Sequence, residues 1–233
     1  MGQVMAFLQA RMGSTRLPGK VLLKIQGQSI LTRAIVRLRA AEVIDGVVVL
    51  TTRLGEDDQV ADEALRAGAD VYRGPALDVL RRFRGAAETF APEVIVRATA
   101  DNPLIDIGSV DRVVCALRAK QLDWCVEGDL PVGAATEALT TGALEEADRR
   151  AIEIRHREHV TLYIKEHPDE FRTAILRPPE ALRRPDVRLT VDTPEDFDYV
   201  EGLVRRVPEE QHPVALERYL NLIEPSLHEA VLR

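Results

Sequence analysis

Strand-like and helix-like segments alternate along this chain, which predicts an α/β fold with a mostly parallel sheet. Three observations carry that prediction. Apolar runs at residues 4–8 and 46–50 read as buried strands. Stretches with apolar residues at helical spacing lie between such runs. Chemistry-bearing residues gather just past the strand ends, where open α/β sheets bind ligands.

The first strand covers residues 4–8, and the first helix runs over 30–39. That helix carries Ile30, Leu31, Ala34, Ile35 and Leu38 on one face, with Ser29 as N-cap. A second strand at 46–52 ends in the hydroxyls Thr51 and Thr52. A helix at 57–67 closes at Gly68, a short strand follows at 70–72, and a helix at 76–90 stops before Pro92. The strand at 94–97 delivers Asp101-Asn102-Pro103 beyond its carboxyl end. From 127 to 179 the rhythm changes. Leu130-Pro131-Val132-Gly133 is a turn-rich break, residues 144–165 read as a charge-dense helix, and 171–176 as a strand. This part reads as an arm or subdomain inserted into a single domain spanning 1–233, outside the doubly wound core. A strand at 187–191 and helices at 194–206 and 214–223 complete the chain.

Composition restricts the function. The chain has 233 residues, 45% hydrophobic and 30% charged, with a net charge of −7. That is a soluble globular composition, and the acidic balance argues against nucleic acid as a partner. The charge is uneven: residues 1–40 hold Arg11, Arg16, Lys20, Lys24, Arg33, Arg37 and Arg39 and no acid. A basic patch on an acidic protein suits a small anionic ligand. The opening has no signal-peptide pattern, and no apolar run approaches a membrane span. Cys115 and Cys125 form no CxxC pair and read as reduced core thiols, so the expected location is cytoplasmic.

The richest stretch is Gln9-Ala10-Arg11-Met12-Gly13-Ser14-Thr15-Arg16-Leu17-Pro18-Gly19-Lys20, directly after the first strand. Glycines that let backbone approach an anion, two hydroxyls and three cations describe a phosphate cradle. It is neither a Walker A loop, since Val21 stands where the hydroxyl belongs, nor G-x-G-x-x-G. The plain alternative is a basic connecting loop on the surface.

This loop resembles the nucleotide-binding loop of the cytidylyltransferases that make CMP-activated sugars, among them the 3-deoxy-manno-octulosonate and acylneuraminate enzymes. The likeness is strongest to the spore coat polysaccharide biosynthesis protein F branch. Further blocks match in order: Arg73-Gly74 with Asp78-Val79-Leu80, the run from Val96 to Asp106, Glu158-His159-Val160-Thr161, and the run from Leu189 to Phe197. The resemblance implies a three-layer, Rossmann-like nucleotidyltransferase fold of the nucleotide-diphospho-sugar transferase type. It further implies CTP and a small sugar acceptor as substrates, Mg²⁺ as cofactor, and a homodimer built through an inserted dimerisation arm at 127–179. The reaction implied is activation of an acidic or amino sugar, or a related alcohol, with release of pyrophosphate in surface polysaccharide biosynthesis. One departure concerns the sugar: Thr99-Ala100 stands where the octulosonate enzymes carry glutamine-glycine.

Asp101 and Asp192 each follow a strand and precede a proline, and the resemblance implies that both are metal ligands, with Asp101 also catalytic. Asp192 has a second reading as a helix cap ahead of Pro194-Glu195-Asp196. Arg11 and Lys20 are assigned to the triphosphate and to catalysis. Ala10, Met12, Gly13 and Ser14 complete the nucleotide cradle, and Arg16 is either part of it or a solvated loop residue. Thr52, Arg97 and Thr99 are candidates for reading the pyrimidine edge, or else structural strand-end residues. Glu137, Glu158 and His159 are candidates for the sugar side, His159 having a packed histidine as its alternative. Asp106 and Asp196 read as capping or surface acids. A nucleotide-sugar-dependent glycosyltransferase would want Asp-x-Asp after a strand, which Asp101-Asn102-Pro103 is not. A nucleotide-binding partner in polysaccharide assembly without turnover is the third reading.

Overall fold

The computed structural model describes residues 2–208 and 213–224. Its main sheet has seven strands in the order β5-β4-β1-β6-β8-β7-β9. These are β1 (Val4–Gln9), β4 (Gly46–Thr52), β5 (Asp70–Gly74), β6 (Val94–Thr99), β7 (Trp124–Glu127), β8 (Glu137–Thr140) and β9 (Thr173–Leu176). A small hairpin pairs β2 (Lys24–Ile25) with β3 (Gln28–Ser29). In the main sheet β5, β4, β1 and β6 are parallel, and β8 alone runs against its two neighbours. β1, in the centre, is buried at every position but its last, as a strand covered on both faces must be.

Three layers result. On one face pack α1 (Ile30–Arg39), α2 (Asp58–Arg66) and α4 (Ile107–Ala119); on the other α3 (Val79–Phe90), α5 (Thr141–Arg150) and α7 (Leu162–Glu166). The short α6 (Ile154–Glu158) lies against α3. A third apolar cluster joins Leu189 and Val191 to α8 (Pro194–Arg205) and α9 (Leu216–Leu220). The expected three-layer, mostly parallel fold is the observed one. Ser29 caps α1 as expected, accepting from the Thr32 N–H at 3.0 Å.

Several expected elements differ. Residues 127–179 are not set apart from the sheet: β8 inserts between β6 and β7, and β9 forms the far edge. The expected helix over 144–165 is three short helices. Arg157 ends α5 by donating to the Asp148 carbonyl at 3.0 Å while also pairing with Asp78 and Asp148 side chains. Val160 and Thr161 then turn inward, both buried. Residues 187–191 make only an isolated bridge, Val132 to Arg188, because their backbone partners belong to two loops. The helix expected from 76 starts at Val79, where Asp78 caps it by accepting from the Arg81 N–H. α4 was not among the expected elements, although Ile107, Val110, Val113, Val114 and Leu117 stand at helical spacing, and neither were the four-residue strands β7 and β8. Cys125 is buried and donates to the Val113 carbonyl, whereas Cys115 is exposed, so only one of the two thiols is a core thiol. Among the described residues no helix is long and apolar enough to cross a membrane.

Candidate active site

β1 ends at Gln9 and the chain leaves the sheet as the basic loop. Two bonds hold its start: Ala10 N–H donates to the Leu50 carbonyl at 3.1 Å, and Met12 N–H to Asp57 Oδ1 at 2.6 Å. The Met12 carbonyl accepts from the Ser14 and Gly19 N–H groups at 2.8 and 3.1 Å, closing the loop on itself. Gly19 takes φ 69°, a left-handed conformation in which glycine alone carries no side-chain penalty. The turn sends Lys20 back under the loop, where it is buried.

The loop then meets two further segments, one at the end of β6 and one just before α8. Asp101 follows β6, with its Oδ1 accepting from the Thr99 hydroxyl at 2.7 Å. Asp192 arrives from the far end of the chain on Leu189 and Val191, both fully buried. The Val191 N–H donates to the Asp101 carbonyl at 2.8 Å, so the two aspartates are joined through the backbone. Behind them Gly133, at φ +94°, makes room: a Cβ there would lie 2.6 Å from the Thr190 nitrogen. Lys20 Nζ donates to Asp101 Oδ2 at 2.9 Å and to Asp192 Oδ1 at 2.8 Å. Arg16 reaches Asp192 Oδ1 at 2.9 Å, and Arg188 donates to Oδ2 at 2.6 Å. Burial raises the Asp192 carboxyl, but hydrogen bonds and charge from Lys20, then Arg188 and Arg16, outweigh it and hold the group below the usual aspartate range.

Ala10, Arg11, Gly13, Ser14, Arg16, Lys20, Thr99, Asp101 and Asp192 line one cleft of about 270 Å³, a volume suited to a small ligand. The other expected residues fall elsewhere. Met12 shapes the loop through its backbone. Thr52 is buried outside the cleft lining and donates its hydroxyl to Asp57 Oδ2, which also holds the start of the loop. Arg97 lies two residues upstream of Thr99, bound to Glu137. Glu137 is buried beneath that pair, and Glu158 and His159 are exposed at the end of α6. The buried histidine of that segment is His156, whose Nε2 lies 2.8 Å from Glu166.

The cap reading of Asp192 is corrected: Thr193 is the N-cap of α8, in a capping box with Asp196. Asp106 caps α4 by accepting from the Ser109 N–H at 3.0 Å. Of the early cations only Arg11, Arg16 and Lys20 line the cleft. Arg37 is buried and donates to the Ile105 and Val214 carbonyls, and Arg33 to the Ile25 carbonyl. Sequence reasoning missed Asp57, whose role exists only through its contacts, and Arg188, four residues before Asp192.

The carboxylates of Asp101 and Asp192 converge on a single ammonium group. An all-oxygen donor set of this kind fits a hard divalent cation. Among the described residues no three His, Cys, Asp or Glu side chains are grouped to hold a metal unaided, so bound phosphate and water would supply the remaining ligands.

Residues 5–221 match the family model described as cytidylyltransferase. The chain is 40% identical over 195 residues to an uncharacterized protein of Methanocaldococcus jannaschii, covering 84% of this chain and 80% of that one. It is 35% identical over 214 residues to the spore coat polysaccharide biosynthesis protein SpsF of Bacillus subtilis, covering 90% and 89%. The solved structure of a cytidylyltransferase from Leptospira borgpetersenii superposes with a TM-score of 0.88 at 30% identity, covering 94% and 93%.

Proposed function

Because the chain belongs to the cytidylyltransferase family and is a CTP-dependent nucleotidyltransferase, we propose that it transfers CMP from CTP to an acidic or amino sugar, or a related alcohol, and releases pyrophosphate. The carrying observation is Lys20 between Asp101 and Asp192 at the floor of the cleft formed by residues 9–21. The name of the Bacillus subtilis relative supports a place in surface polysaccharide biosynthesis.

In-line displacement at the α-phosphorus needs a fixed nucleotide and a stabilised leaving group. Arg11 and Arg16 project from the loop with Gly13 and Ser14 beside them, and in this reading they bind the triphosphate. Lys20 is fixed by its two carboxylate partners, which aims its charge where the pyrophosphate departs. Asp101 and Asp192 would hold Mg²⁺, and the ion would supply further neutralisation of phosphate charge. Thr99 orients Asp101 through its hydroxyl hydrogen bond.

A homodimer formed through residues 127–179 belongs to the same proposal. Its support is two large apolar side chains in that segment, Ile152 and Ile154, 91% and 85% exposed. Sedimentation showing a monomer at micromolar concentration would count against it. A cytoplasmic location rests on the free thiols Cys115 and Cys125.

The test is pyrophosphate release from CTP, ATP, GTP and UTP against a panel of acidic and amino sugars with Mg²⁺. Release from CTP with at least one acceptor is expected. Nucleotide binding without release in any combination would leave a binding protein, and equal use of all four nucleotides would remove the base assignment.

A further inference from the structure

The two aspartates of the cleft are held in a common way. Asp101 Oδ2 accepts from Lys20 Nζ at 2.9 Å, and its Oδ1 accepts from the Thr99 hydroxyl at 2.7 Å. Asp192 Oδ1 meets Lys20 at 2.8 Å and Arg16 at 2.9 Å, and its Oδ2 accepts from Arg188 Nη2 at 2.6 Å. Each carboxylate therefore turns one oxygen to the shared ammonium group and has the other tied to a donor of its own.

The cations on Asp192 differ in how firmly they are placed. Arg16 is 61% exposed, lines the cleft and, in the reading above, belongs to the triphosphate. Arg188 is absent from the cleft lining and faces a neighbouring cavity with Glu195, Asp196 and Tyr199, so it reaches Asp192 from outside. Its Nε donates to Asp196 Oδ1 at 3.0 Å. Asp196 is itself fixed, accepting from the Asp192 and Thr193 N–H groups at 2.9 and 3.1 Å. The backbone on either side of Arg188 is pinned as well: Val132 N–H donates to the Val187 carbonyl at 2.9 Å, and Leu189 N–H to the Val132 carbonyl at 2.7 Å. A carboxylate oxygen engaged by a guanidinium held this way is a poor ligand for a metal ion, because the two positive charges repel.

Asp192 is thereby left with one oxygen for a metal ion. Thr99 restricts Asp101 in the same sense but more weakly, through a neutral hydroxyl. Ca²⁺ is the larger ion and takes carboxylates through one or both oxygens in a flexible shell. Mg²⁺ demands a near-ideal octahedron, which the narrow bite of a two-oxygen carboxylate does not fit.

We propose that Arg188 is a positioning residue that sets metal selectivity: by holding Asp192 Oδ2 it limits Asp192 to one-oxygen ligation and favours Mg²⁺ over Ca²⁺. The inference rests on the reading of Asp101 and Asp192 as the metal ligands.

The test is competition for Mn²⁺ on the full chain with a non-hydrolysable CTP analogue. Bound Mn²⁺ is followed by electron paramagnetic resonance while Mg²⁺ or Ca²⁺ displaces it, and the ratio of the two displacing affinities is the readout. Removing a nearby positive charge strengthens both ions alike, so the ratio alone reports the ligation. Arg188→Met should move that ratio toward Ca²⁺ by about tenfold, and Arg188→Lys, which keeps a donor for Oδ2, should restore most of it. Thermal melts monitor folding, and Arg188→Gln carries the test if Arg188→Met melts early. An unchanged ratio, whether or not both affinities rise, would overturn the proposal, as would an equal shift in Arg188→Lys. Mn²⁺ uptake no greater than that of the analogue alone, or uptake unaffected by Asp192→Asn, would instead overturn the reading of the metal ligands.

Discussion

Lys20 and Asp192 meet at 2.8 Å across 172 residues of chain, and the same ammonium group binds Asp101 at 2.9 Å. The contact joins the basic loop to both aspartates, so one side chain organises all three parts of the cleft. Lys20→Met should lower turnover by about a hundredfold or more, the scale of losing one group that stabilises transition-state charge. Lys20→Arg should recover little, because a planar guanidinium does not replace a point charge between two carboxylates. Steady-state pyrophosphate release checks both.

Asp192 and Thr193 are neighbours with separable roles. Asp192→Asn should cut turnover by about a hundredfold and weaken the response to Mg²⁺, with α8 intact because Thr193 caps it. Asp101→Asn should behave alike, and the double variant should cost little more than the worse single one, as residues acting as a unit are not additive. Thr193→Ala should instead lose about 1 kcal/mol of stability. Turnover at several Mg²⁺ concentrations, together with melts, separates the two roles; near-normal turnover in Asp192→Asn would remove that residue from the site.

Asp57 is fully buried and takes hydrogen bonds from the Met12 N–H and the Thr52 hydroxyl. Asp57→Ala leaves both donors unpaired and should cost about 2 kcal/mol of stability. It should also raise KM for CTP, since the loop start loses its tether. Denaturant unfolding and the CTP dependence of turnover measure the two effects, and an unchanged KM would show that the loop holds its shape without Asp57.

Glu137 would be raised by burial, but Arg97 and Lys165, with the Thr161 hydroxyl, hold its carboxyl below the ordinary glutamate range. A depressed native value means its contribution is full above the unfolded-state pKa of about 4.3 and is lost as pH falls through the lower native value. Glu137→Gln should therefore lower Tm clearly at pH 7, and the gap to the unmodified protein should close below about pH 4. A gap that persists unchanged into acid would mean that the charge of Glu137 adds nothing to stability.

The fold was legible in the sequence wherever an element is stabilised by its own pattern. The apolar runs of β1 and β4 and the Ser29 cap of α1 depend on residues adjacent in the chain, and the observed bounds agree closely with those read from pattern alone. The basic loop and Asp101 were legible for a similar reason, since each sits at a strand end marked by glycine or proline, and Asp192 was marked by the proline that opens α8. Tertiary structure decided the rest. β7 and β8 have four residues each, too few for periodicity to show, and β8 exists because β6 and β7 offer it backbone partners on both sides. Glu158 and His159 share a block with Thr161, yet the chain turns between them, leaving the first two in solvent and burying the third against Glu137. Thr52 looked like Thr99, a hydroxyl at a strand end, but its hydroxyl donates to Asp57 and lies outside the cleft. A residue type and its spacing determine which chemistry is available. Which groups meet depends on distances between segments far apart in sequence, set by packing of the whole core.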